Sequence, residues 1–422
     1  MANREFKARL AAPAVSGEVT LAVLPEGIQY TAPLAQGMFS YAEILGFEMR
    51  DYSLYLRLEA GEIAISRLGN QGDAFVHELA EAYNAKVCKA LFVKGAPLLV
   101  TKGDFRYIEN GVPTAGKAAI RVYENCVCIL PPDDRARRVP LCFVTGLDKG
   151  DFTLTLTLDD GAQYSFMRLG YDSDPFEKAI LDCLQKLRAQ AMENVRELDG
   201  SLSDAQTAAI AALMPQGAAV PLGRLDAIAP GFSAALEARL RESRAGESQA
   251  VFETLCRREN ICVGFKKAFS STVEKTEGAP EDTAIPAGLE KMLPEGLDKM
   301  LPGAAAQSGK QLLWMLAPGA NGHSAAVEFA VEEGESAATF LYRFSGEWAP
   351  FACALNHAME AIDFKREVIR LTAQEMDLPE HSDYKMAQQR VAALRFVRES
   401  FHGRAIHASA ASWQQEIQTF FT

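Results

Sequence analysis

A glycine-rich segment followed by a lysine has the spacing of a phosphate-binding loop. Residues 111–117 (GVPTAGK) match the pattern GxxxxGK, in which backbone amides and the lysine hold phosphate oxygens. Ala118 stands where a serine or threonine would hold magnesium, and residues 119–124 (AIRVYE) have the composition of a strand. A phosphate-binding loop must instead open a helix, whose free amides face the anion. The segment therefore predicts a hairpin loop and not a nucleotide site.

Cysteines and histidines are the second group that could do chemistry, by binding a metal. Cys126 and Cys128 lie on one face of a predicted strand, and Cys142 follows on the expected neighbouring strand, so three thiols could converge. No fourth ligand is evident, free cysteine packs as a small hydrophobe, and the six histidines show no ligand spacing. We therefore expect no metal, no cofactor and no catalytic residue, although a site assembled between domains would be invisible in sequence.

Three arginines form the best local candidate for an anion site. Arg135, Arg137 and Arg138 cluster in a predicted loop between strands, where guanidinium groups could bind a phosphate or a carboxylate in bidentate fashion. Asp133 and Asp134 adjoin the cluster, so a solvated loop that neutralises itself is the alternative. The cluster thus suggests anionic lipid or another phosphate-bearing ligand as one hypothesis.

A short internal echo supplies the candidate residues for a protein partner. The heptapeptide GLEKMLP at 288–294 returns as GLDKMLP at 296–302, which predicts two short amphipathic turns, each ended by proline. Their apolar side chains could dock into a partner's groove, or could rest on the protein itself as part of a linker. These side chains are Met292, Leu293, Met300 and Leu301.

Composition and charge narrow the class of protein. The chain has 422 residues, which predicts about three domains. Its 48% hydrophobic and 23% charged residues are typical of globular proteins, and no run approaches the roughly 18 apolar residues of a membrane-spanning helix. The net charge of −12 disfavours nucleic acid and favours a basic partner. The N-terminus lacks a secretory pattern and eight cysteines are dispersed, so we expect reduced thiols and a cytoplasmic location.

An internal repeat is the strongest signal in the chain. The segments that begin at residues 40 and 140 align at an offset of 100, with Asp51 on Asp151, and then at an offset of 101 after one insertion. The tripeptide Arg-Leu-Gly occurs at 67–69 and again at 168–170. This ordered correspondence predicts two copies of one folding unit.

Each copy can be interpreted from its hydrophobic periodicity. Leu54, Leu56 and Leu58 alternate with polar residues, which indicates a strand with one buried face that turns at Gly61 into the next strand. A stripe at spacing four follows and predicts a helix of about five turns. The stripe consists of Phe75, Leu79 and Tyr83 in the first copy and of Phe176, Ile180 and Leu184 in the second. Each copy is therefore expected to hold several antiparallel strands followed by one helix.

Meandering strands that end in a helix over roughly 100 residues resemble the pleckstrin-homology-like superfold, which includes the GRAM type. The resemblance covers about residues 15–196, and it extends to bacterial proteins that carry the strand-RLG-helix pattern twice in tandem. It implies an α+β fold with tandem antiparallel barrels, each closed by its C-terminal helix. Because it rests on pattern and topology, it implies no active site.

The remaining chain predicts a spacer, an eroded third copy and a helical end. Ser203 and Gln206 form a capping box that opens the spacer, and Arg343 stands where Arg67 and Arg168 stood. The predicted domains are 1–94 and 95–198 as the two copies, 199–260 as a helical spacer, 261–364 as a degenerate third copy with an inserted loop at 271–309, and 365–422 as a helical C-terminal region.

These observations favour a binding protein over an enzyme. We expect a non-catalytic protein-interaction or scaffolding module that recognises a protein or peptide through its sheet edges and the groove between helix and strand. The alternative is peripheral attachment to anionic lipid, or to another phosphate-bearing ligand, through the arginine cluster.

Overall fold

A computed structural model of the chain describes residues 4–13, 15–109, 111–243, 245–267, 311–330 and 338–421. Within these ranges the strands form three antiparallel sheets, and helices follow or separate them in an α+β arrangement. We refer to residues 5–90 as the first repeat, to residues 99–198 as the second repeat, and to the described residues between 204 and 421 as the C-terminal region.

The first repeat is a seven-stranded sheet followed by one long helix. Its elements are β1 (Glu5–Ala11), β2 (Ser16–Leu24), β3 (Gly27–Ala32), β4 (Ala35–Ser40), β5 (Ile44–Arg50), β6 (Ser53–Leu58), β7 (Gly61–Ser66) and α1 (Gly72–Ala90). The strand order is β4-β3-β2-β1-β7-β6-β5, so β4 and β5 are the edges. The predicted helical stripe is buried, since Phe75, Leu79 and Tyr83 lie in one cluster with Phe6 and Leu54 of the sheet.

The second repeat has the same order of elements. They are β8 (Leu99–Glu109), β9 (Val112–Val122), β10 (Cys126–Leu130), β11 (Arg137–Pro140), β12 (Val144–Gly150), β13 (Thr153–Leu158), β14 (Gln163–Met167) and α2 (Ser173–Leu198). The strand order is β11-β10-β9-β8-β14-β13-β12, which matches the first repeat strand for strand.

Local irregularities recur at matching positions of the two repeats. The register shifts at Gly46 in β5 and at Gly146 in β12. The arginines of the two Arg-Leu-Gly tripeptides, Arg67 and Arg168, both adopt positive φ angles of 62° and 56°. The predicted repeat is therefore present in backbone detail as well as in strand order.

The C-terminal region contains the third sheet. Its strands are β15 (Val220–Pro221), β16 (Cys262–Lys267), β17 (Gln311–Pro318), β18 (Ser324–Phe329), β19 (Ala338–Arg343) and β20 (Phe401–Ile406). They pair in chain order from β15 to β20, an order different from that of the two repeats. Arg343 ends an extended strand, so it does not share the left-handed conformation of Arg67 and Arg168.

Helices of the C-terminal region surround this sheet. They are α3 (Asp204–Leu213), α4 (Leu222–Ile228), α5 (Phe232–Arg241), α6 (Gly246–Leu255), α7 (Trp348–Ala361), α8 (Glu367–Arg370), α9 (Ala373–Met376), α10 (Ser382–Arg390), α11 (Ala392–Ser400) and α12 (Ala410–Phe421). The predicted capping box of Ser203 and Gln206 opens α3.

Two expectations about this region are wrong. The end of the chain is not entirely helical, because β20 pairs with β19 and completes the third sheet. The spacer is not entirely helical either, because Val220 and Pro221 form the short strand β15 beside β16. Both strands depend on pairing with distant segments, so the local helical pattern around them does not record them.

Long-range contacts join the C-terminal region to both repeats. The guanidinium of Arg138 on β11 donates to both carboxylate oxygens of Glu360 on α7, at 2.5 and 2.7 Å. Arg390 of α10 is 1% exposed and donates to the Tyr83 hydroxyl of α1 at 2.9 Å, across 307 residues of sequence. The C-terminal region therefore contacts the second repeat through α7 and the first repeat through α10.

Candidate functional site

A cavity of about 890 Å³ lies between the second repeat and the C-terminal region, and we call it the junction cavity. Helices α2, α3 and α7 and the start of β12 form its wall, and most of the lining side chains are apolar. Asp159, Arg188 and Asn356 are among its few polar residues. An apolar recess with a few polar groups is the usual form of a ligand site.

A second recess of about 520 Å³, the β12–α2 groove, adjoins the junction cavity. Leu181, Leu184, Arg188 and Met192 line it from α2, at the spacing of three or four that places residues on one helix face. Leu147 lines it from β12, which is an edge strand of its sheet. The groove thus combines an apolar helix face with a strand edge.

The edge of the first repeat that corresponds to β12 is already occupied. The Phe47 amide of β5 donates to the Pro132 carbonyl at 2.9 Å, and the Asp134 amide donates to the Leu45 carbonyl at 3.1 Å. Gly46 and Asp133 form an antiparallel bridge between these hydrogen bonds. The loop between β10 and β11 therefore adds itself to β5 as a short extra strand.

The matching edge of the second repeat carries no such addition from the described parts of the chain. Thr145 and Leu147 stand where Leu45 and Phe47 stand in the first repeat, at an offset of 100. We infer from this match that the Thr145 carbonyl and the Leu147 amide point outward. An open strand edge is a ready template for an extended peptide.

A third feature is a Cys, His and Asp cluster beside the junction cavity. Cys353 and His357 lie one turn apart on α7, and Asp159 lies in the turn between β13 and β14. His357 Nε2 is 2.7 Å from Asp159 Oδ1 and 3.8 Å from Cys353 Sγ. The His357 ring is 8% exposed and stacks on Phe143 at 4.2 Å. The cluster therefore joins the second repeat to α7.

The surroundings of His357 favour its charged form. Burial on its own lowers the pKa of His357, but hydrogen bonds and charge from Asp159 and Cys353 outweigh burial and raise this pKa to about 10. The imidazole therefore carries a proton at neutral pH when nothing else binds the cluster.

This geometry is not that of an activated cysteine nucleophile. In a Cys-His-Asp triad, one ring nitrogen faces the thiol while the other is held by the acid. Here Nε2 of His357 faces both Cys353 and Asp159, whereas Nδ1 lies 3.8 Å from Asp160 Oδ2. Nucleophilic catalysis would therefore require the ring to reorient.

The three arginines predicted to bind an anion each have a protein carboxylate as partner. Arg135 Nε lies 2.9 Å from Asp133 Oδ2, and Arg137 Nε lies 3.0 Å from Glu109 Oε1. Arg138 is buried against Glu360. An external anion would have to compete with these carboxylates, and anion binding at the cluster stays a prediction.

Other predicted residues take structural positions. Residues 112–117 of the GxxxxGK segment lie in β9 and pair with β8, so no helix follows them. Cys126 and Cys128 are buried on β10, but Cys142 lies in a short 3₁₀ turn and not on the neighbouring strand. The Cys128 side chain contacts the thiols of both Cys126 and Cys88, and its contact with Cys88 on α1 lowers the pKa of Cys88 to about 7.

Some predictions fall outside the described residues, and some residues were missed. Met292, Leu293, Met300 and Leu301, together with the predicted inserted loop, lie outside the described ranges. Cys353 and His357 lie four residues apart on one helix face, a spacing that the sequence analysis did not single out. That local spacing was the one available signal, because Asp159 lies far away in sequence.

A scan against protein-family models found no match, and a search of curated proteins found none either. Among the described helices, none combines the length and the hydropathy needed to cross a membrane.

Proposed function

We propose that the chain is a non-catalytic protein-interaction module built from tandem PH-like repeats, and that its second repeat binds an extended segment of a protein partner along β12. The PH-like description is supported by two seven-stranded sheets of identical order, each followed by a helix with a buried apolar stripe. Neither the repeat architecture nor the binding of a segment along β12 requires an active site.

One observation carries the proposal: the edge of β5 holds an extended segment of the second repeat, whereas the matching edge of β12 is open among the described residues. The two edges share their bulge and their register, so they offer the same backbone groups. A partner strand would donate to the Thr145 carbonyl and accept from the Leu147 amide, as residues 132–134 do at Leu45 and Phe47.

The β12–α2 groove indicates the chemistry of the partner segment. Alternate side chains of a strand point to the same side, so every second residue of the partner would face Leu181, Leu184 and Met192. We expect apolar residues at those positions. The net charge of −12 favours basic residues elsewhere in the partner.

The groove is a stronger candidate than the arginine cluster. Phosphate binding at Arg135, Arg137 and Arg138 would first have to displace Asp133, Glu109 and Glu360 from them. Displacement would leave the buried Glu360 carboxylate without its bidentate partner, which is costly. The β12–α2 groove requires no such rearrangement.

Selection of peptides on the full chain tests the proposal. A phage-displayed library of random peptides, selected on the wild-type protein, should yield segments with alternating apolar residues. Leu147→Pro removes the outward amide and should weaken their binding by about tenfold, equivalent to about 1.4 kcal/mol. Leu147→Ala keeps the amide and separates the side-chain contribution.

Two results would contradict the proposal. One is a selection that enriches no peptide, and the other is equal affinity of the enriched peptides for wild type and Leu147→Pro. Thermal unfolding of both variants shows whether any loss of binding reflects loss of the fold. Proline is tolerated in an edge strand whose amide faces solvent, so we expect Leu147→Pro to fold.

A further inference from the structure

We propose that Asp159, Cys353 and His357 bind a zinc ion, and that the junction cavity supplies access to its fourth coordination position. This site is separate from the peptide groove and does not rest on the proposed function. Among the described residues these three form the group whose ligand atoms all lie within 4.8 Å of one another.

The distances in the cluster are close to those of a tetrahedral site. Zinc bonds of about 2.3 Å to sulfur and 2.0–2.1 Å to nitrogen place the two ligand atoms roughly 3.5 Å apart. Cys353 Sγ and His357 Nε2 are 3.8 Å apart, so these two ligands need almost no movement. Asp159 Oδ1 lies 2.7 Å from the same nitrogen and would have to withdraw by roughly 0.6 Å.

That movement is available because Asp159 belongs to a surface turn. Its side chain is 40% exposed, and it lies between the last residue of β13 and the first residue of β14. Cys353 and His357, in contrast, are fixed on a continuous helix. The helix thus supplies two rigid ligands and the turn supplies an adjustable one.

Two acceptors compete for one ring nitrogen in the cluster. A carboxylate oxygen and a sulfur both face the single nitrogen Nε2 of His357. One ring N–H can donate well to only one of them. A divalent cation would accept electron pairs from all three atoms at once, with the thiol and the imidazole deprotonated on binding.

A stacking contact beside the cluster fixes the orientation of the histidine ring. The ring stacks on Phe143 at 4.2 Å, which fixes its plane. Its other nitrogen, Nδ1, lies 3.8 Å from Asp160 Oδ2. At this distance Asp160 makes no hydrogen bond to the ring, so the stacking on Phe143 is the contact that orients it.

The ligand types suit zinc, and the cavity leaves one position open. A thiolate with an imidazole favours zinc over magnesium or calcium, which prefer oxygen ligands. Cys353 and Asp159 both line the junction cavity, so water or an atom of a ligand in that cavity could complete the tetrahedron. Three protein ligands and one open position is the arrangement of zinc sites that bind exchangeable ligands.

Titration of the metal-free full chain with zinc and with cobalt tests the site. We expect one zinc ion per chain by isothermal titration calorimetry, and a sulfur-to-cobalt charge-transfer band on cobalt binding. Cys353→Ser should abolish the band, and His357→Gln should weaken zinc binding by about 100-fold or more. Cys256→Ser, a half-buried cysteine outside the cluster, is the matched control and should bind as wild type does.

A variant in the exposed turn guards against misfolding. Because Asp159 lies on the surface, the Asp159→Asn variant should keep the fold and the cobalt–sulfur band. It should nevertheless bind zinc more weakly than wild type. Zinc should also raise the thermal unfolding temperature of wild type and not that of Cys353→Ser. Sub-stoichiometric binding, or binding that Cys353→Ser leaves unchanged, would overturn the proposal and leave an Asp159–His357 ion pair only.

Discussion

The two repeats have the same strand order, but the outer faces of their sheets differ in solvent exposure. Strands β3 and β4 expose Gln29 and Met38, and Met38 keeps 46% of its surface accessible. The matching residues of β10 and β11, Cys128 and Arg138, are 0% and 8% exposed. Register supports the match, since Gln29 pairs with Met38 and Cys128 pairs with Arg138 across their strands.

The difference arises from the neighbours of the second repeat. Val127 and Ile129 of β10 point into their own core, whereas Cys126 and Cys128 on the other face join the core cluster of the first repeat. Glu360 of α7 covers the adjacent β11. The inner face of a strand thus reflects the fold it belongs to, and the outer face reflects what packs against it.

Removal of the buried Arg138–Glu360 ion pair should give the largest difference in stability between the two outer faces. Arg138→Ala leaves Glu360 buried without its partner, so we expect a cost of about 3–5 kcal/mol in unfolding free energy. Met38→Ala at the matching position should cost less than about 1 kcal/mol, because the side chain is half exposed. Urea unfolding monitored by circular dichroism measures both.

A double variant sharpens this comparison. Arg138→Met combined with Glu360→Leu removes both charges and should recover most of the lost stability. Equal costs for Arg138→Ala and Met38→Ala would show that the outer faces are energetically alike, against our interpretation.

The turn after β13 should make stability depend on pH, unlike the matching turn of the first repeat. The pKa of His357 is about 10 in the fold against an ordinary value of 6.5, so its ion pair with Asp159 stabilises fully below pH 6.5. We expect about 1.5–3 kcal/mol to be lost as the pH rises from 6.5 to 10 in chelator-treated protein. Thermal unfolding across this range measures it.

His357→Gln should flatten that pH profile. Glu59 is the residue of the first repeat that matches Asp159, and it is exposed. Glu59→Gln should therefore leave the profile as in wild type. A slope that persists in His357→Gln would assign the pH dependence to other groups.

Proline substitutions should distinguish the occupied edge from the open one. Asp134→Pro removes the amide that donates to the Leu45 carbonyl, with an expected cost of about 1–2 kcal/mol. Leu147→Pro at the open edge should cost less than about 1 kcal/mol beyond Leu147→Ala. Asp134→Ala, which keeps the amide, is the control, and similar costs for both prolines would mean that the edges are equally free.

The smallest expected effect concerns the two bulge glycines. A Cβ at Gly46 would lie 3.2 Å from the Asp133 Cβ, whereas at Gly146 the nearest atom is the Thr157 Cβ at 3.5 Å. Gly146→Ala should stabilise by about 0.4–1 kcal/mol because alanine restricts the unfolded chain, and Gly46→Ala should not. Differential scanning calorimetry resolves this pair, and equal shifts would argue against crowding at β5.

Sequence periodicity predicts the repeated part of this fold because its signals are local. The alternation of Leu54 and Leu56 predicted a buried strand face, and the spacing of Phe75 and Leu79 predicted the buried side of α1. The capping box of Ser203 fixed the start of α3 in the same way. Each of these patterns lies within one element, so it can be recognised without knowing which elements pack beside it.

Features that depend on distant partners were not predictable in this way. Strand β20 exists because β19 lies beside it, and no turn or alternation in Phe401–Ile406 marks it as a strand. The partner of Arg138 lies 222 residues away, and His357 lies 198 residues from Asp159. The candidate site is built from such long-range contacts, so local sequence motifs did not predict its residues.

The contact between Arg390 and Tyr83 has a consequence for the order in which the fold is completed during synthesis. Ribosomes add about 5–20 residues per second, so roughly 15–60 s pass between the emergence of Tyr83 and that of its partner 307 residues later. During that interval α1 is present on the nascent chain, but the Arg390 side chain that contacts it has not yet been synthesised. The hydrogen bond to the Tyr83 hydroxyl therefore forms only after residue 390 has been synthesised.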